Sequence, residues 1–373
     1  MAVFQRYLLH QVKTDLAKKM VFVGGPRQVG KTTMALQVLD GRTAAYLNWD
    51  TAAHREKILR HQLPLANLLV FDEIHKYRQW RNYLKGLYDE QHHQLRILVT
   101  GSARLDLYRF GGDSLQGRYH YLRLHPLSVK ELALDTQADF IELLKLGGFP
   151  EPFFSGSHID AKRWSREYRT RLFTEDIATL ERVQNLGTME LLNLRLPELV
   201  GSPLSINALR EDLQMSHKTV ANWLQILERV YAIFRLPPFG APRIRAVKKE
   251  QKHYHMDWSV VPDQSKRFEN LVASHLLKWV HYQQDVYGSD YDLCYFRDID
   301  GREIDFIVTN EKKPVLAVEC KWSDTDVSQS LRYFKSHFPN CRMVQITAQD
   351  KTEYMSTDGI EVRFAHRFLS EFI

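Results

Sequence analysis

Met20-Val-Phe-Val-Gly-Gly-Pro-Arg-Gln-Val-Gly-Lys-Thr-Thr33 is the stretch that decides the fold of this 373-residue chain. Residues 20–23 are apolar and read as a short buried strand, the Gly-Gly-Pro turn ends it, and residues 31–39 carry a helical pattern that stops at Asp40-Gly41. Between strand and helix, Gly25, Gly30, Lys31 and Thr32 fall at the G-x-x-x-x-G-K-[ST] spacing of a phosphate-binding loop. Its glycines let backbone N–H groups close around phosphates. Lys31 adds a point charge for the β- and γ-phosphates, and Thr32 places a hydroxyl on a nucleotide-bound Mg²⁺. The candidate ATP-binding residues are therefore Gly25, Gln28, Val29, Gly30, Lys31, Thr32 and Thr33.

Outward from this loop, further apolar strands are expected at 44–47, 68–71 and 95–100, with a helical pattern over 80–89 between the last two. Residues 1–150 thus read as a mostly parallel sheet covered by helices. The strand at 68–71 ends in Asp72-Glu73, as a Walker B element does. Asp72 is expected to orient the Mg²⁺ and Glu73 to polarise the attacking water as general base. The next strand ends in Thr100-Gly101-Ser102, which makes Thr100 or Ser102 the candidate sensor of the γ-phosphate. Arg118, in a loop, is the candidate arginine finger reaching a neighbouring subunit's nucleotide, a role that requires a homo-oligomer.

Leu-Gly-Gly-Phe-Pro-Glu-Pro at 146–152 cannot continue a helix and marks a boundary. Residues 151–250 read as mainly helical: Ser205 caps a helix from Ile206, and Ser216 caps a second bearing Val220, Trp223, Leu224, Leu227 and Val230 on one apolar stripe. An extended segment at 232–236 follows, giving a helix-turn-helix with a wing. Residues 251–373 read as a third segment, a helix and then strands at 293–296, 303–308 and 315–321 joined by hairpin signals. Strand alternation sets Glu303 beside Asp305 on one face, and Glu319 beside Lys321 on one face of the last strand. With Glu269 on the preceding helix, the pattern D-x(n)-E-x-K suits metal-assisted phosphodiester hydrolysis. Asp305, Glu319 and Glu269 would bind Mg²⁺ or Mn²⁺, and Lys321 would position the water.

Taken in order, the loop at 25–33, Phe71-Asp-Glu-Ile74, Thr100-Gly-Ser102, the 114–118 loop, Gly147-Gly-Phe-Pro150, Arg302-Glu-Ile-Asp-Phe306 and Val318-Glu-Cys-Lys321 resemble a family of bacterial and archaeal AAA-type ATPases with a C-terminal domain of unknown function. The resemblance spans nearly the whole chain. It implies an AAA-type ATPase domain, a winged helix, and an α/β restriction-endonuclease-like module of the PD-(D/E)XK class. Many such relatives look to have lost the nuclease residues, whereas Glu269, Asp305, Glu319 and Lys321 are present here.

Composition sets the outer limits. Hydrophobic residues make up 44% and charged residues 26%, the balance of a globular protein, and no apolar run approaches the ~20 residues needed to cross a bilayer. The first ten residues lack the layout of a secretory signal, which points to the cytoplasm. Cys294, Cys320 and Cys341 show no C-x-x-C spacing and are expected to be reduced and structural. A net charge of +6 permits a DNA partner without requiring one. The candidate contacts are His217, Lys218 and Asn222, with the basic run Arg235, Arg243, Arg245, Lys248, Lys249 and Lys252 after them. Three functional readings follow: an ATPase coupled to DNA binding and a metal-dependent nuclease, an ATP-driven oligomeric switch that binds a partner protein, and a DNA-binding regulator that does not cut.

Overall fold

The computed structural model describes residues 4–41, 45–102, 115–178, 185–240, 251–323, 326–349 and 351–373. It divides into two compact units: Met1–His125 with Thr174–Arg182 and Arg229–Tyr231, and the remainder of the chain.

In the first unit, β1 (Met20–Gly24), β2 (Tyr46–Asn48), β3 (Leu68–Asp72), β4 (Arg96–Gly101) and β5 (Tyr119–Arg123) form one sheet in the order β2-β3-β4-β1-β5. Every pairing is parallel. β1 and β3 are buried along their whole length, as uninterrupted apolar strands must be when both sheet faces are covered. The sequence-expected helices are present as Lys31–Leu39 and Trp80–Gln91. Because β4 lies between β1 and β3, the C-terminal ends of these three strands stand side by side. Thr100 pairs in register with Asp72 on one flank and with Val23 on the other.

The second unit contains the helix His158–Arg171, followed by helices Ile206–Asp212 and His217–Arg229. Ser205 and Ser216 cap the latter two, accepting from the backbone N–H groups of Ala208 and Thr219 at 3.3 and 3.1 Å. Val220, Trp223, Leu224, Leu227 and Val230 are all buried, as the periodicity requires. β6 (Ile233–Leu236) then pairs antiparallel with β7 (Lys252–His255). After the helix Gln264–Tyr287 come β8 (Tyr291–Arg297), β9 (Glu303–Asn310), β10 (Lys313–Lys321), β11 (Arg342–Thr347), β12 (Tyr354–Met355) and β13 (Ile360–Phe364). They form a mixed sheet in the order β12-β13-β11-β10-β9-β8. β8, β9 and β10 are antiparallel neighbours, whereas β10, β11 and β13 run parallel. The helix Gln329–His337 makes the crossover and seals one face with Leu331 and Phe334 against Ile304, Ala317, Met343 and Val362.

The first division between the two units falls at His125/Pro126. Gly147-Gly148 is a packing contact instead of a linker: a Cβ on Gly148 would come within 2.3 Å of the Trp258 ring. Cys294, Cys320 and Cys341 are free thiols. Among the described residues no helix is long and apolar enough to cross a membrane.

Candidate functional site

The loop after β1 is built on backbone closeness. A Cβ on Gly25 would lie 2.3 Å from the Leu124 carbonyl oxygen, so only glycine fits. Gly30 closes the loop at φ 101°, a left-handed conformation, immediately before the helix whose first residue is Lys31. Lys31 is buried and donates to the loop's own carbonyls, Gly25 at 2.9 Å and Pro26 at 2.6 Å. Burial pulls its ammonium below the usual lysine range, against the opposing pull of Glu73, Asp72 and Asp176. A phosphate arriving here offers that ammonium the counter-charge that the carbonyls do not provide.

Asp72 is the hub of the site. Its Oδ2 accepts from Thr32 Oγ1 at 2.7 Å and from the Tyr46 hydroxyl at 2.6 Å, while its Oδ1 accepts from Thr100 Oγ1 at 2.6 Å. The hydroxyl and carboxylate that could hold a nucleotide-bound Mg²⁺ are therefore already in contact. Glu73 sits at φ 57°, held by its N–H donating to the Thr100 carbonyl at 2.9 Å. This turn takes its side chain away from Asp72 toward Ser102, whose N–H and Oγ donate to the carboxylate at 3.0 and 3.2 Å. Burial alone would raise the Glu73 carboxyl; the charges of His75, Lys31 and Lys76 with the Ser102 hydrogen bond outweigh it, so the group lies below the ordinary glutamate range. An ionised, partly desolvated carboxylate is what a general base requires. Thr100 thus contacts Asp72 and Ser102 contacts Glu73, so the two sensor candidates bond different carboxylates.

Residues that the sequence reading passed over complete this shell. The π-helical turn Leu172–Ile177 supplies Glu175 and Asp176. Arg27 of the loop pairs with Glu175 and, at 3.3 Å, with Asp176, and Ser102 Oγ also reaches Asp176 at 3.3 Å. Burial raises the Asp176 carboxyl in spite of Arg27, and the charge of Glu73 pushes the same way. Tyr46 is the other omission. A lone tyrosine on an edge strand gives no sequence signal, and an acid more than a hundred residues from the loop gives none either.

Arg118 lies at the opposite edge of the sheet. It precedes β5, beside Met20 at the start of β1, and its guanidinium donates to Asp89 at 2.8 Å on the exposed surface. Within one chain it is a whole strand length away from Gly24 and the loop.

The C-terminal constellation is partly assembled. Lys321 Nζ pairs with Glu319 at 2.8 Å, and the Cys320 N–H donates to Asp305 Oδ2 at 2.9 Å, so β9 and β10 bring these residues together. Glu319 Oε2 is buried and has no hydrogen-bond partner. Glu269 approaches from its helix but bonds Tyr254, whose hydroxyl donates at 2.7 Å, and it packs against Gly201 so closely that a Cβ there would lie 2.7 Å from Oε2. Burial and then the charge of Asp305 push both Glu269 and Glu319 above the normal carboxylate range. Lys252 corrects the sequence reading. It is fully buried and does not belong to a DNA-facing basic run: its ammonium lies 2.5 Å from Glu303, 3.4 Å from Glu269 and 3.6 Å from Asp305. As the side chains stand, no group of three or more His, Cys, Asp or Glu among the described residues is arranged to hold a metal ion. His217, Lys218 and Asn222 are exposed. Arg235 pairs with Glu228 at 2.5 Å, and Arg243, Arg245, Lys248 and Lys249 lie outside the described residues.

The parallel sheet, the glycine loop and the Asp72-Glu73 pair define an AAA-type P-loop ATPase domain. Comparison with known families agrees: residues 17–133 match the family model described as AAA domain. Residues 137–270 match Domain of unknown function (DUF8612), and residues 265–363 match Domain of unknown function (DUF4143). Among relatives, an uncharacterized protein of Haemophilus influenzae is 22% identical, covering 96% of this chain and 95% of its own length. One of Methanocaldococcus jannaschii is 21% identical, with 88% of this chain and 80% of the relative covered. One of Mycobacterium tuberculosis is 27% identical over 64% of this chain, and the match spans about half, 54%, of that relative. A solved structure of a Signal Transduction ATPase with Numerous Domains protein from Pyrococcus horikoshii superposes at a TM-score of 0.25 with 14% identity, covering 77% of this chain and 48% of that one.

Proposed function

We propose that this chain is a Mg²⁺-dependent ATP hydrolase that couples turnover to DNA and carries a metal-dependent nuclease in its C-terminal segment. The observation that carries the ATPase reading is the contact between Thr32, Asp72 and Thr100, with Glu73 bonded by Ser102 beside it and its ionised form favoured by the charges of His75, Lys31 and Lys76. Lys31 would leave the Gly25 and Pro26 carbonyls for the phosphates, Thr32 and Asp72 would hold the Mg²⁺ of the nucleotide, and Glu73 would orient the attacking water and take its proton. Lys31→Ala should abolish ATP turnover, and unchanged turnover would sink the assignment. Arg118 would act on the nucleotide of a neighbouring subunit in a homo-oligomer, because it lies far from the loop of its own chain.

The nuclease reading rests on the buried Glu319 Oε2, which has no hydrogen-bond partner, and on the Asp305 carboxylate bonded by the adjoining Cys320 N–H; carboxylate oxygens are the ligands a hard divalent cation takes. Asp305, Glu319 and Glu269 would hold Mg²⁺ or Mn²⁺, whose chemistry there is to polarise a phosphodiester and lower the pKa of water. Lys321, paired to Glu319, positions the water. The exposed His217, Lys218 and Asn222 would contact DNA from a winged helix built on β6 and β7. Plasmid cleavage that needs Mg²⁺ or Mn²⁺ and is lost in Lys321→Ala, with ATPase activity retained, is the expected result.

A second reading has its own observation. Lys252 already pairs with Glu303, Glu269 and Asp305, as it would in a nuclease-like fold that is catalytically silent and serves an ATP-driven switch binding a partner protein. No cleavage of DNA or RNA with any divalent metal, together with nucleotide-dependent assembly, would establish that reading in place of the first.

A further inference from the structure

A cleft of about 560 Å³ in the second unit has a strongly cationic lining that neither the ATP site nor the acid cluster uses. One wall is the helix His158–Arg171, where Lys162, Arg166 and Arg169 recur at i, i+4 and i+7 and so share a face. Ala161 and Ser165, both buried, form a small-residue floor between them. Lys145 and Arg267 close the cleft from two other helices.

The counter-charge is sparse. Among the described residues, Lys145 is the one of these five cations that makes an ion pair, with Glu142 at 3.2 Å, an acid also bonded by His158. Arg267 donates to the carbonyls of Val261 and Pro262, and Arg169 to the carbonyl of Ser165, so both keep their full charge for a ligand. The acid beneath the floor is Asp257. Its oxygens accept from Ser165 Oγ at 2.9 Å, Ser259 Oγ at 2.6 Å and the Ser259 N–H at 3.1 Å, and burial favours its protonated form. Burial also holds the Arg267 guanidinium below its ordinary value against the opposing charges of Asp257 and Asp263, so a further anion arriving beside it relieves an existing electrostatic cost. An isolated row of cations on a helix is usually a solvated face. Here the cations converge from three helices on one concavity.

We propose that this cleft binds closely spaced phosphate groups, with the backbone of a single nucleic-acid strand as its ligand. Arginine forks and lysine point charges along a groove recognise successive phosphates without reading bases. The site rests on the DNA-coupled reading and deepens it by giving the strand contacts on residues outside the helix-turn-helix, and its test is separate from that of the helix-turn-helix.

The test uses the full chain and a fluorescein-labelled oligo-dT, measured by anisotropy over a series of salt concentrations. Lys162→Glu with Arg166→Glu changes two exposed side chains and should leave folding and ATP turnover intact. The expected result is at least about a tenfold loss of affinity, with the slope of log K against log salt shallower by about 1.4, or ~0.7 for each phosphate contact removed. A second arm titrates inorganic pyrophosphate into Lys31→Ala protein, which silences the phosphate-binding loop. Pyrophosphate binding that is lost on adding the double charge reversal, with no oligomer binding, would keep the phosphate chemistry and assign it to a small ligand. Oligomer binding unchanged by the double variant overturns the proposal, as does failure of both probes. If only Lys218→Glu weakens the oligomer, the DNA-coupled reading survives and the cleft does not.

Discussion

Replacing Lys252 by methionine keeps the length of the side chain and removes its charge from the centre of the acid cluster. The ammonium is fully buried and within 3.6 Å of three carboxylates, so the variant leaves Glu303, Glu269 and Asp305 facing one another in a poorly hydrated site. Breaking a buried ion pair by removing one partner typically costs about 3–5 kcal/mol. The cost should grow with pH. Lys252 opposes the burial that already raises the Glu269 carboxyl, so in the variant that carboxyl rises further; its protonated form stabilises the fold at low pH, and the contribution disappears as pH rises through the folded value. Urea unfolding followed by tryptophan fluorescence at pH 5 and pH 8 measures both effects. Millimolar Mn²⁺ gives the third readout: if a divalent cation and the ammonium compete for the same oxygens, Mn²⁺ should restore more stability to Lys252→Met than it adds to the wild type. A loss under about 1 kcal/mol at pH 8, or one independent of pH, would refute the view that Lys252 is the electrostatic keystone of this cluster.

Tyr46→Phe deletes one of the three hydroxyls bonded to Asp72; a hydrogen bond to a charged acceptor contributes about 1.5–3 kcal/mol, so Mg-ATP turnover should fall roughly 10- to 100-fold. Unchanged kcat and Mg²⁺ dependence would show the phenol to be incidental. Asp176→Ala removes one of the two carboxylates paired with Arg27 and one partner of Ser102, and should lower kcat more than it changes ATP affinity, read from steady-state kinetics beside nucleotide binding. Arg118→Ala should cost roughly a thousandfold in kcat if it acts in trans, and mixing it with Glu73→Gln subunits should recover partial activity that neither shows alone. Burial pushes His275 down to about 3, so its stabilising contribution is complete above the unfolded value near 6.5 and falls by about 1.4 kcal/mol per pH unit below it. His275→Gln should therefore show a flatter stability profile than wild type between pH 6.5 and 5, and parallel profiles would contradict the assignment.

The glycine loop and the strand that ends in Asp72-Glu73 were legible because their geometry is local. A loop that must close on phosphates needs Gly25 and Gly30 at fixed spacing, and a parallel strand buried on both faces must read as an apolar run, so Asp72 and Glu73 announced themselves at its end. The order of the strands was not legible, because inserting β4 between β1 and β3 is a long-range choice with no marker in β4 itself. That order is nonetheless what sets Thr100 against Asp72 and Ser102 against Glu73. Arg27, Asp176 and Tyr46 were invisible for a related reason. Each is an ordinary residue whose role comes from being brought close by elements distant in sequence, and no spacing rule links position 27 to position 176.

Lys252 shows how a sequence pattern can mislead through its surroundings. It follows several arginines and lysines, so by composition it belongs to a solvated basic run. β7, however, pairs with β6 and is buried along its whole length, and a lysine on such a strand is tolerated only where acids receive it. The acids were legible from alternation on β9 and β10, but alternation says only which face a carboxylate occupies, not what neutralises it. A cluster with four carboxylates, Glu269, Glu303, Asp305 and Glu319, and two ammonium groups, Lys252 and Lys321, retains an excess of negative charge when fully ionised. That excess can be met by protons, as the raised values of Glu269 and Glu319 indicate, or by a divalent cation that displaces them. Whether Mn²⁺ stabilises the wild-type fold with release of protons is thus the same question as whether this sheet is a nuclease or a scaffold.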